Sequence, residues 1–295
     1  MQAIIQFPDI STNVFSFTIY GHDFALRWYA LAYLAGLIVG WRIVTGLMRR
    51  ADLWPGNVAP MPPARVEDLL TAIVLGVILG GRLGFVLFYQ PGYYLANPAE
   101  IVKVWQGGMS FHGGFLGVVV AGLWFCRRHQ VPALQLADAM ALVAPIGLLL
   151  GRLANFINAE LWGRPSTLPW AVVFPGEAAQ DCPGLVPGTC ARHPSQLYEA
   201  GLEGVVLGLI LLALLRGGAL RRPGLITGVF LTGYGLARFV VEFFRQADGQ
   251  FITPDNPMGH VLGGASLGLS MGQLLSLPMV GAGLWLLARA RARAS

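Results

Sequence analysis

Charged side chains are scarce in this sequence. Asp, Glu, Lys and Arg together make up 12% of its 295 residues, whereas apolar residues make up 55%. With a mean hydropathy of +0.60, the chain holds more apolar sequence than one water-soluble core can bury. The shortage of charge therefore excludes an ordinary soluble protein and predicts an integral membrane protein.

Cysteine is also scarce, with three residues in the chain. Cys126 lies in an apolar run, whereas Cys182 and Cys190 flank a loop rich in Pro and Gly, so any disulfide would join the last two. The sequence leaves open whether that bond forms. No spacing of His and Cys typical of a metal site is present, so we expect no metal.

Three further features are missing. The first thirty residues have no basic region or small-residue cleavage site and are broken by Pro8 and Asp9, so we expect no cleaved signal peptide. No nucleic-acid-binding module accompanies the net charge of +5, because the basic residues cluster at the ends of apolar runs. No convincing internal repeat is visible, which argues against a transporter built from duplicated halves.

Seven apolar runs approach the roughly 20 residues that cross about 30 Å of hydrocarbon. They are residues 28–48, 68–88, 111–127, 136–157, 197–215, 224–243 and 264–288. The pattern predicts an all-α integral membrane protein of about seven transmembrane helices, forming one catalytic domain over residues 1–295. The longest polar insert, 158–196, contains the strand-like WAVVF and predicts a small periplasmic head between helices 4 and 5.

Basic residues are unevenly divided between the two sides of this topology. With the amino terminus outside, the cytoplasmic ends carry Arg49, Arg50, Arg65, Arg127, Arg128, Arg216, Arg221, Arg222, Arg289, Arg291 and Arg293. The outer segments carry Lys103, Arg164, Arg192 and Arg245. The positive-inside rule then predicts a periplasmic amino terminus and a cytoplasmic carboxyl terminus.

Glycines recur at four-residue spacing within the apolar runs. The sets are Gly36 and Gly40; Gly76, Gly80 and Gly84; Gly113 and Gly117; Gly204 and Gly208; and Gly264, Gly268 and Gly272. Because glycine lets helix backbones approach closely, we interpret these sets as helix-packing positions.

Three arginines, Arg82, Arg152 and Arg238, fall inside apolar runs. An arginine at mid-membrane depth costs about 2.5 to 3.5 kcal/mol on insertion, so it needs a cavity, a carboxylate or a charged ligand. Arg152 and Asn155 are three residues apart and share a helix face, where together they could hold a phosphate. The alternative is that Arg152 pairs with Asp138 or Glu199.

Three polar residues form a stripe along the apolar run 224–243. Tyr234, Arg238 and Glu242 are spaced four residues apart. Glu242 either orients Arg238 toward a substrate phosphate or forms a purely structural pair with it. Glu199 and Glu203 have the same spacing, and we expect them to pair with buried arginines, with a catalytic role as the alternative.

Histidine, tyrosine and glycine residues complete the candidate set. His112 precedes Gly113 and Gly114 at the start of a run, where it is either a hydrogen-bonded interface residue or a proton acceptor. The two glycines could let backbone amides approach an anion. Tyr29 belongs to an aromatic belt or reaches a ligand.

Several of these residues lie in segments that resemble one family. GRLANFINAELWG at 151–163 resembles the signature of the prolipoprotein diacylglyceryl transferases of bacterial inner membranes. Further segments are similar in the same order: GGRLGFVLFY at 80–89, WQGGMSFHGG at 105–114, RHPSQLYE at 192–199, GYGLARFVVEFFRQ at 233–246 and SMGQLLSLPM at 270–279. The resemblance covers nearly the whole chain.

The resemblance implies a seven-helix enzyme of the bacterial inner membrane with its site toward the periplasm. Such an enzyme transfers diacylglyceryl from phosphatidylglycerol to the lipobox cysteine of a preprolipoprotein, releases glycerol phosphate, and needs no metal or organic cofactor. Its partners are these two substrates and membrane lipids, not nucleic acid. An anion transporter and a non-catalytic lipid-binding scaffold are the alternatives.

By motif, the resemblance assigns site residues in two groups. The catalytic group is His112, Arg152, Arg238 and Tyr29. The substrate-binding group is Asn155, Glu160, Gly163, Tyr234 and Glu242, to which the local sequence adds Gly113 and Gly114. Arg27 departs from the family pattern, which often has histidine there, and is assigned no role.

Overall fold

The computed structural model describes residues 5–20, 22–182, 186, 188–263 and 268–292. Arg293 and Gly264, named above, lie outside these ranges. Within them the fold is dominated by seven long helices. These are α1 (Trp28–Met48), α2 (Arg65–Phe88), α3 (Phe111–His129), α4 (Ala133–Ile157), α5 (Ser195–Arg216), α6 (Leu225–Val241) and α7 (Met271–Ala292).

Short helices connect the long ones. They are Ala51–Leu53, Pro55–Asn57, Pro91–Ala96, Pro98–Val102, Val104–Gln106, Glu177–Gln180, Ala219–Arg221 and Gly249–Phe251. Helix α5 is continuous but not uniform, because its residues Ala200–Val206 are π-helical between α-helical Ser195–Glu199 and Leu207–Arg216.

The prediction of an all-α protein is wrong in that short strands are also present. They are β1 (Ile5–Gln6), β2 (Asn13–Ile19), β3 (His22–Arg27), β4 (Val172–Val173), β5 (Ala191–Arg192), β6 (Leu262–Gly263) and β7 (Gly268–Leu269). Strands β2 and β3 form an antiparallel hairpin in which Phe17 pairs with Phe24. The alternation of Phe15, Phe17 and Ile19 along β2 is typical of a strand, and the Phe15 and Phe17 rings stack 6.0 Å apart.

Five of the seven long helices are long and apolar enough to cross a membrane: α1, α2, α4, α5 and α7. Helix α6 is apolar but has only 17 residues. Helix α3 ends on Arg127, Arg128 and His129. The chain is therefore a mostly helical membrane protein.

The chain divides into two compact units. Unit 1 comprises Met1–Gly40 and Ala141–Ser295, and unit 2 comprises Trp41–Met140. In unit 2, α2 packs along α3 through the predicted glycines. A side chain on Gly80 would place its Cβ 2.8 Å from the Cα of Gly117, and one on Gly84 would place it 2.7 Å from the Cα of Gly113. The helix-packing interpretation is confirmed for this pair of helices.

The insert 158–196 folds around a three-stranded sheet in unit 1. Strand β1 pairs parallel with β4, and β4 pairs antiparallel with β5, so the predicted WAVVF strand is confirmed as β4. Phe174 is fully buried there with Phe7, Phe156 and Trp162 packed against its cluster. Cys182 and Cys190 form a disulfide with their Cα atoms 6.0 Å apart, and Cys126 is a buried thiol.

We expect Gly80→Ala to destabilise the protein by about 1 to 3 kcal/mol, because the added methyl group overlaps the backbone of α3. Thermal unfolding of purified protein measures the effect. Gly122→Ala, on the partner helix α3 but with no atom within 4 Å of its Cβ position, is the matched control and should be neutral or slightly stabilising. Equal melting temperatures for the two variants would contradict the close-packing explanation.

Candidate functional site

Six ionisable side chains of unit 1 form one ionic cluster. Its members come from three helices and the turn after α6: Arg152, Glu199, Glu203, Arg238, Glu242 and Arg245. With all six ionised, three cations face three anions. The cluster is therefore formally neutral, as expected for charges held at membrane depth.

Glu199 lies at the centre of this ionic cluster. Its Oε2 is 3.1 Å from Arg152 Nε, and its Oε1 is 2.5 Å from Arg238 NH1. Arg245 NH1 is 3.4 Å from the same Oε1. The ion pairing expected for Glu199 is confirmed, and of the two carboxylates considered for Arg152, Glu199 is the one in contact. One carboxylate thus brings Arg152 and Arg238 together.

Glu242 caps the carboxyl end of α6 and pairs with Arg238 one turn earlier. Its other oxygen accepts a hydrogen bond of 2.7 Å from Ser270 Oγ, and Arg245 Nε lies 3.8 Å from Glu242 Oε1. Gly272 leaves room for the carboxylate, because a Cβ there would lie 2.5 Å from Glu242 Oε1. The fork of Arg238 is therefore held between two carboxylates.

The anions and cations of the cluster differ in exposure. The side chains of Glu199 and Glu203 are 0% exposed, whereas those of Arg152 and Arg238 are 18% and 17% exposed. An arginine carries five N–H donors, more than these pairings use. An incoming anion would consequently meet guanidinium groups before it met carboxylates.

Glu203 lies in the π-helical stretch of α5, a feature often found at functional sites. Its Oε2 is 3.9 Å from Arg152 NH2, and neither carboxylate oxygen has a hydrogen-bond partner within the described part of the chain. Its neighbour Gly204 is needed for packing, since a Cβ there would lie 2.7 Å from the Cβ of Leu149. Glu203 is thus a long-range counter-charge rather than a tight partner of Arg152.

The chain turns sharply after α4. Ala159 and Leu161 have φ values of +53° and +57°, in the left-handed region that side chains other than glycine rarely adopt. The amino end of α5 holds this turn: Gln196 Nε2 donates to the carbonyl of Glu160 at 2.5 Å, and Ser195 Oγ donates to that of Leu161 at 3.0 Å. The same helix therefore fixes the turn and supplies Glu199.

This turn brings Glu160 back to α4. Asn155 Nδ2 donates to Glu160 Oε1 at 2.7 Å, so the amide of Asn155 is engaged with that carboxylate. Tyr29 and Tyr33 of α1 pack with ring centroids 5.1 Å apart, and Tyr33 interacts electrostatically with Glu160 and Arg152. Tyr29, Asn155 and Glu160 are thus arranged beside the ionic cluster.

Gly163 and Tyr234 occupy two further positions in unit 1. Gly163 pairs with Arg245 in an isolated β-bridge, and a Cβ on it would lie 2.7 Å from the Cβ of His193. Gly163 must lack a side chain because the backbones of His193 and Phe244 lie so close to it. Tyr234 is part-buried, stacks on Phe230 at 5.9 Å, and interacts electrostatically with Glu203 and Arg238.

His112, Gly113 and Gly114 lie at the start of α3 in unit 2. Ser110 caps this helix, with its Oγ accepting a hydrogen bond of 3.2 Å from the Gly113 amide. The side chain of His112 is exposed. Gly113 is required for packing against α2, whereas a Cβ on Gly114 would meet only ordinary contacts at 3.7 Å or more.

Arg82, also in unit 2, has a structural role. It is 4% exposed, and its guanidinium donates to the backbone carbonyls of Glu100, Ile101, Gly107 and Gly108 at 2.6 to 3.1 Å. It also lies 5.1 Å from the ring centroid of Tyr94. These hydrogen bonds fix the segment that precedes α3.

The insert places a second buried arginine beside the turn. Arg192 donates to the carbonyls of Ala179 and Asp181 at 2.6 and 3.0 Å and lies 4.0 Å over the ring of Trp162. Burial lowers the pKa of Arg192, and the charge of Asp181 partly offsets this. Burial likewise lowers the pKa of His193. The Nδ1 of His193 is 3.1 Å from the hydroxyl of Tyr198.

Sequence reasoning missed Arg245, which was assigned to an outer segment. It follows Arg238 by seven residues, about two helical turns, and this spacing could have placed both on one face. Ser270 was also missed, and no sequence signal connects it to Glu242. Among the described residues, no group of three or more His, Cys, Asp or Glu is arranged to hold a metal ion.

A comparison with protein families matches the model described as prolipoprotein diacylglyceryl transferase over residues 15–289. Three similar proteins carry the name phosphatidylglycerol–prolipoprotein diacylglyceryl transferase. That of Ruegeria pomeroyi is 67% identical over 99% of both chains, that of Roseobacter denitrificans 60% over 99% of both, and that of Methylocella silvestris 52% over 91% of this chain and 90% of the relative.

We expect Glu199→Gln to lower the free energy of unfolding by about 3 to 5 kcal/mol. The substitution removes the anion shared by Arg152, Arg238 and Arg245 while keeping the side-chain shape, and it leaves three largely buried cations facing two carboxylates, Glu203 and Glu242. Thermal unfolding of purified protein measures the loss. Glu177→Gln, which changes an exposed glutamate of the insert, should melt like the wild type. An unchanged melting temperature for Glu199→Gln would mean that the carboxylate is not the shared counter-ion.

Proposed function

The chain belongs to the prolipoprotein diacylglyceryl transferase family, and on this basis we propose the reaction that it catalyses. It transfers diacylglyceryl from phosphatidylglycerol to the lipobox cysteine thiol of a preprolipoprotein. A thioether forms and glycerol phosphate is released, as the first step of lipoprotein maturation. The names of its relatives and the convergence of Arg152 and Arg238 on Glu199 support this function.

The reaction exchanges one bond to a glycerol carbon for another. The cysteine sulfur attacks the carbon that carries the phosphodiester, and the carbon–oxygen bond breaks with its electron pair leaving on glycerol phosphate. Negative charge therefore builds on the departing phosphate. Arg152 and Arg238 stabilise it with N–H donors that are already held in place by Glu199 and Glu242.

The thiol must lose its proton to become a good nucleophile. His112 is our candidate for the acceptor, since imidazole accepts protons near neutral pH and its side chain is exposed at the start of α3. Tyr29 completes the proposed catalytic group, and its ring packs against Tyr33, which interacts electrostatically with Arg152 and Glu160. The proposed substrate-binding group is Asn155, Glu160, Gly163, Tyr234, Glu242, Gly113 and Gly114.

The enzyme is proposed to lie in the bacterial inner membrane as a single seven-span catalytic domain. Helices α3 and α6 add to the five long apolar helices, and the insert 158–196 forms a periplasmic head. The amino terminus is then periplasmic and the carboxyl terminus cytoplasmic. The concentration of arginines at the predicted inner ends supports this orientation. No step in the proposed reaction uses a metal or an organic cofactor.

The geometry of Arg82 weighs against the transporter alternative. That alternative needs Arg82, Arg152 and Arg238 along one anion pathway, but four backbone carbonyls already occupy the guanidinium of Arg82. A transporter would carry anions into proteoliposomes without chemical change. A non-catalytic scaffold would bind phosphatidylglycerol and form no product.

We expect Arg238→Ala to lose about 10²- to 10³-fold in turnover, because it removes a donor that faces the developing phosphate charge. The assay combines purified protein, labelled phosphatidylglycerol and a lipobox peptide, and it scores label on the peptide cysteine. Arg289→Ala, at the far end of α7 beside Trp285, is the control and should retain wild-type turnover. A wild-type rate in Arg238→Ala would remove this arginine from the mechanism, and no labelled peptide with the wild-type protein would refute the proposed function.

The enzyme's own cysteines should be dispensable, because the nucleophile belongs to the peptide substrate. We expect the triple Cys→Ser variant at positions 126, 182 and 190 to retain turnover in the same assay if it remains folded. Cys126→Ser alone keeps the Cys182–Cys190 disulfide and separates loss of the bond from loss of a reactive thiol. Abolished turnover in a folded Cys126→Ser protein would contradict a substrate-borne nucleophile.

A further inference from the structure

A cavity of about 520 Å³ opens at the end of the α2–α3 pair that is opposite to His112. Its lining residues come from the first turn of α2 and the last turn of α3: Arg65, Asp68, Arg128, His129 and Gln130. All of them belong to unit 2. The 17 residues from His112 to His129 span about 25 Å along α3, so the cavity is separate from the proposed proton acceptor.

The cavity has more positive than negative charge. It is lined by two guanidinium groups and one carboxylate. Among the ion pairs of the described chain, neither Arg65 nor Arg128 has a carboxylate oxygen within 4.0 Å, so Asp68 neutralises neither directly. Arginines of the ionic cluster, by contrast, each contact a glutamate. Arg65 and Arg128 therefore retain charge that an anion can use.

His129 joins the two helices beside the cavity. Arg65 NH1 at the start of α2 contacts His129 Nδ1 at the end of α3. The ring packs 4.6 Å from that of Phe125, and Gln130 closes α3 in a left-handed conformation with φ of +56°. Two guanidinium groups, an imidazole and a side-chain amide thus line one cavity.

We propose that this cavity binds a phosphate group, carried by the headgroup of an anionic lipid or present as free phosphate. Guanidinium forks match phosphate oxygens in bidentate geometry, and the volume lies in the usual range for small-ligand sites. In the proposed orientation the cavity opens at the cytoplasmic leaflet, where anionic headgroups lie beside basic pockets between helices. The binding itself is independent of the transferase reaction.

The chain offers a matched pair of variants to test this site. Arg127 and Arg128 are neighbours in the last turn of α3 and both are exposed, but only Arg128 lines the cavity. Full-length protein is reconstituted in phosphatidylcholine nanodiscs that contain phosphatidylglycerol, and native mass spectrometry counts the phosphatidylglycerol molecules retained. We expect Arg128→Gln to retain one fewer than the wild type, and Arg127→Gln to retain the wild-type number.

A second arm omits phosphatidylglycerol and titrates the protein with inorganic phosphate. A phosphate-dependent rise in melting temperature that Arg128→Gln loses and Arg127→Gln keeps would assign the site to free phosphate rather than to a lipid. Arg65→Gln should behave like Arg128→Gln in whichever arm responds. Equal behaviour of Arg127→Gln and Arg128→Gln in both arms would overturn the proposal, because it would show only a general attraction of anions to a basic surface.

Transferase turnover serves as the folding control, since neither Arg127 nor Arg128 belongs to the ionic cluster. Both variants should keep wild-type turnover at saturating phosphatidylglycerol. If Arg128→Gln fails this control, Arg128→Lys, which keeps the charge but loses the fork, replaces it. That variant should weaken the binding of phosphatidylglycerol or phosphate about tenfold, because it loses roughly one charge-assisted hydrogen bond. Unchanged retention in it would also overturn the proposal.

Discussion

One fully buried carboxylate, Glu199, holds together the cationic side chains on which the proposed chemistry depends. It contacts Arg152 from α4, Arg238 from α6 and Arg245 from the turn that follows. Charges interact strongly where water is excluded, and each is costly without its partner. The positions of these arginines are therefore mutually dependent through Glu199, and Glu242 adds a second contact to Arg238 and to Arg245.

A formally neutral cluster can still bind an anion. Its carboxylates are buried, whereas its guanidinium groups are partly exposed. An anion therefore meets positive charge at the surface of the cluster even though the cluster has no net charge. Donors fixed in this way need little reorganisation when charge develops on a leaving phosphate. Surrounding residues maintain the array: Gln196 and Ser195 hold the turn after α4, and Gly272 leaves space for Glu242.

The helices and the two central arginines could be predicted from the sequence, because apolar runs and buried charges are local signals. The partners were harder to predict. Asn155 was expected to share a ligand with Arg152, but the left-handed residues Ala159 and Leu161 return Glu160 to it, which helical spacing cannot reveal. The sequence did not predict the position of Arg245, which depends on its contact with Glu199 from another helix. It also did not predict the hairpin, which depends on the pairing of β2 with β3.

The proposed convergence of Arg152 and Arg238 on one lipid headgroup is tested most directly by solid-state NMR distances in the membrane. Guanidinium ¹⁵N of Arg152 and Arg238, assigned by single Arg→Lys substitutions, is measured against ³¹P of bound phosphatidylglycerol. The shared-carboxylate arrangement predicts nitrogen–phosphorus distances of about 4 Å to both guanidinium groups, as charge-assisted hydrogen bonds require. A phosphate coupled to neither arginine, or to one alone, would contradict it.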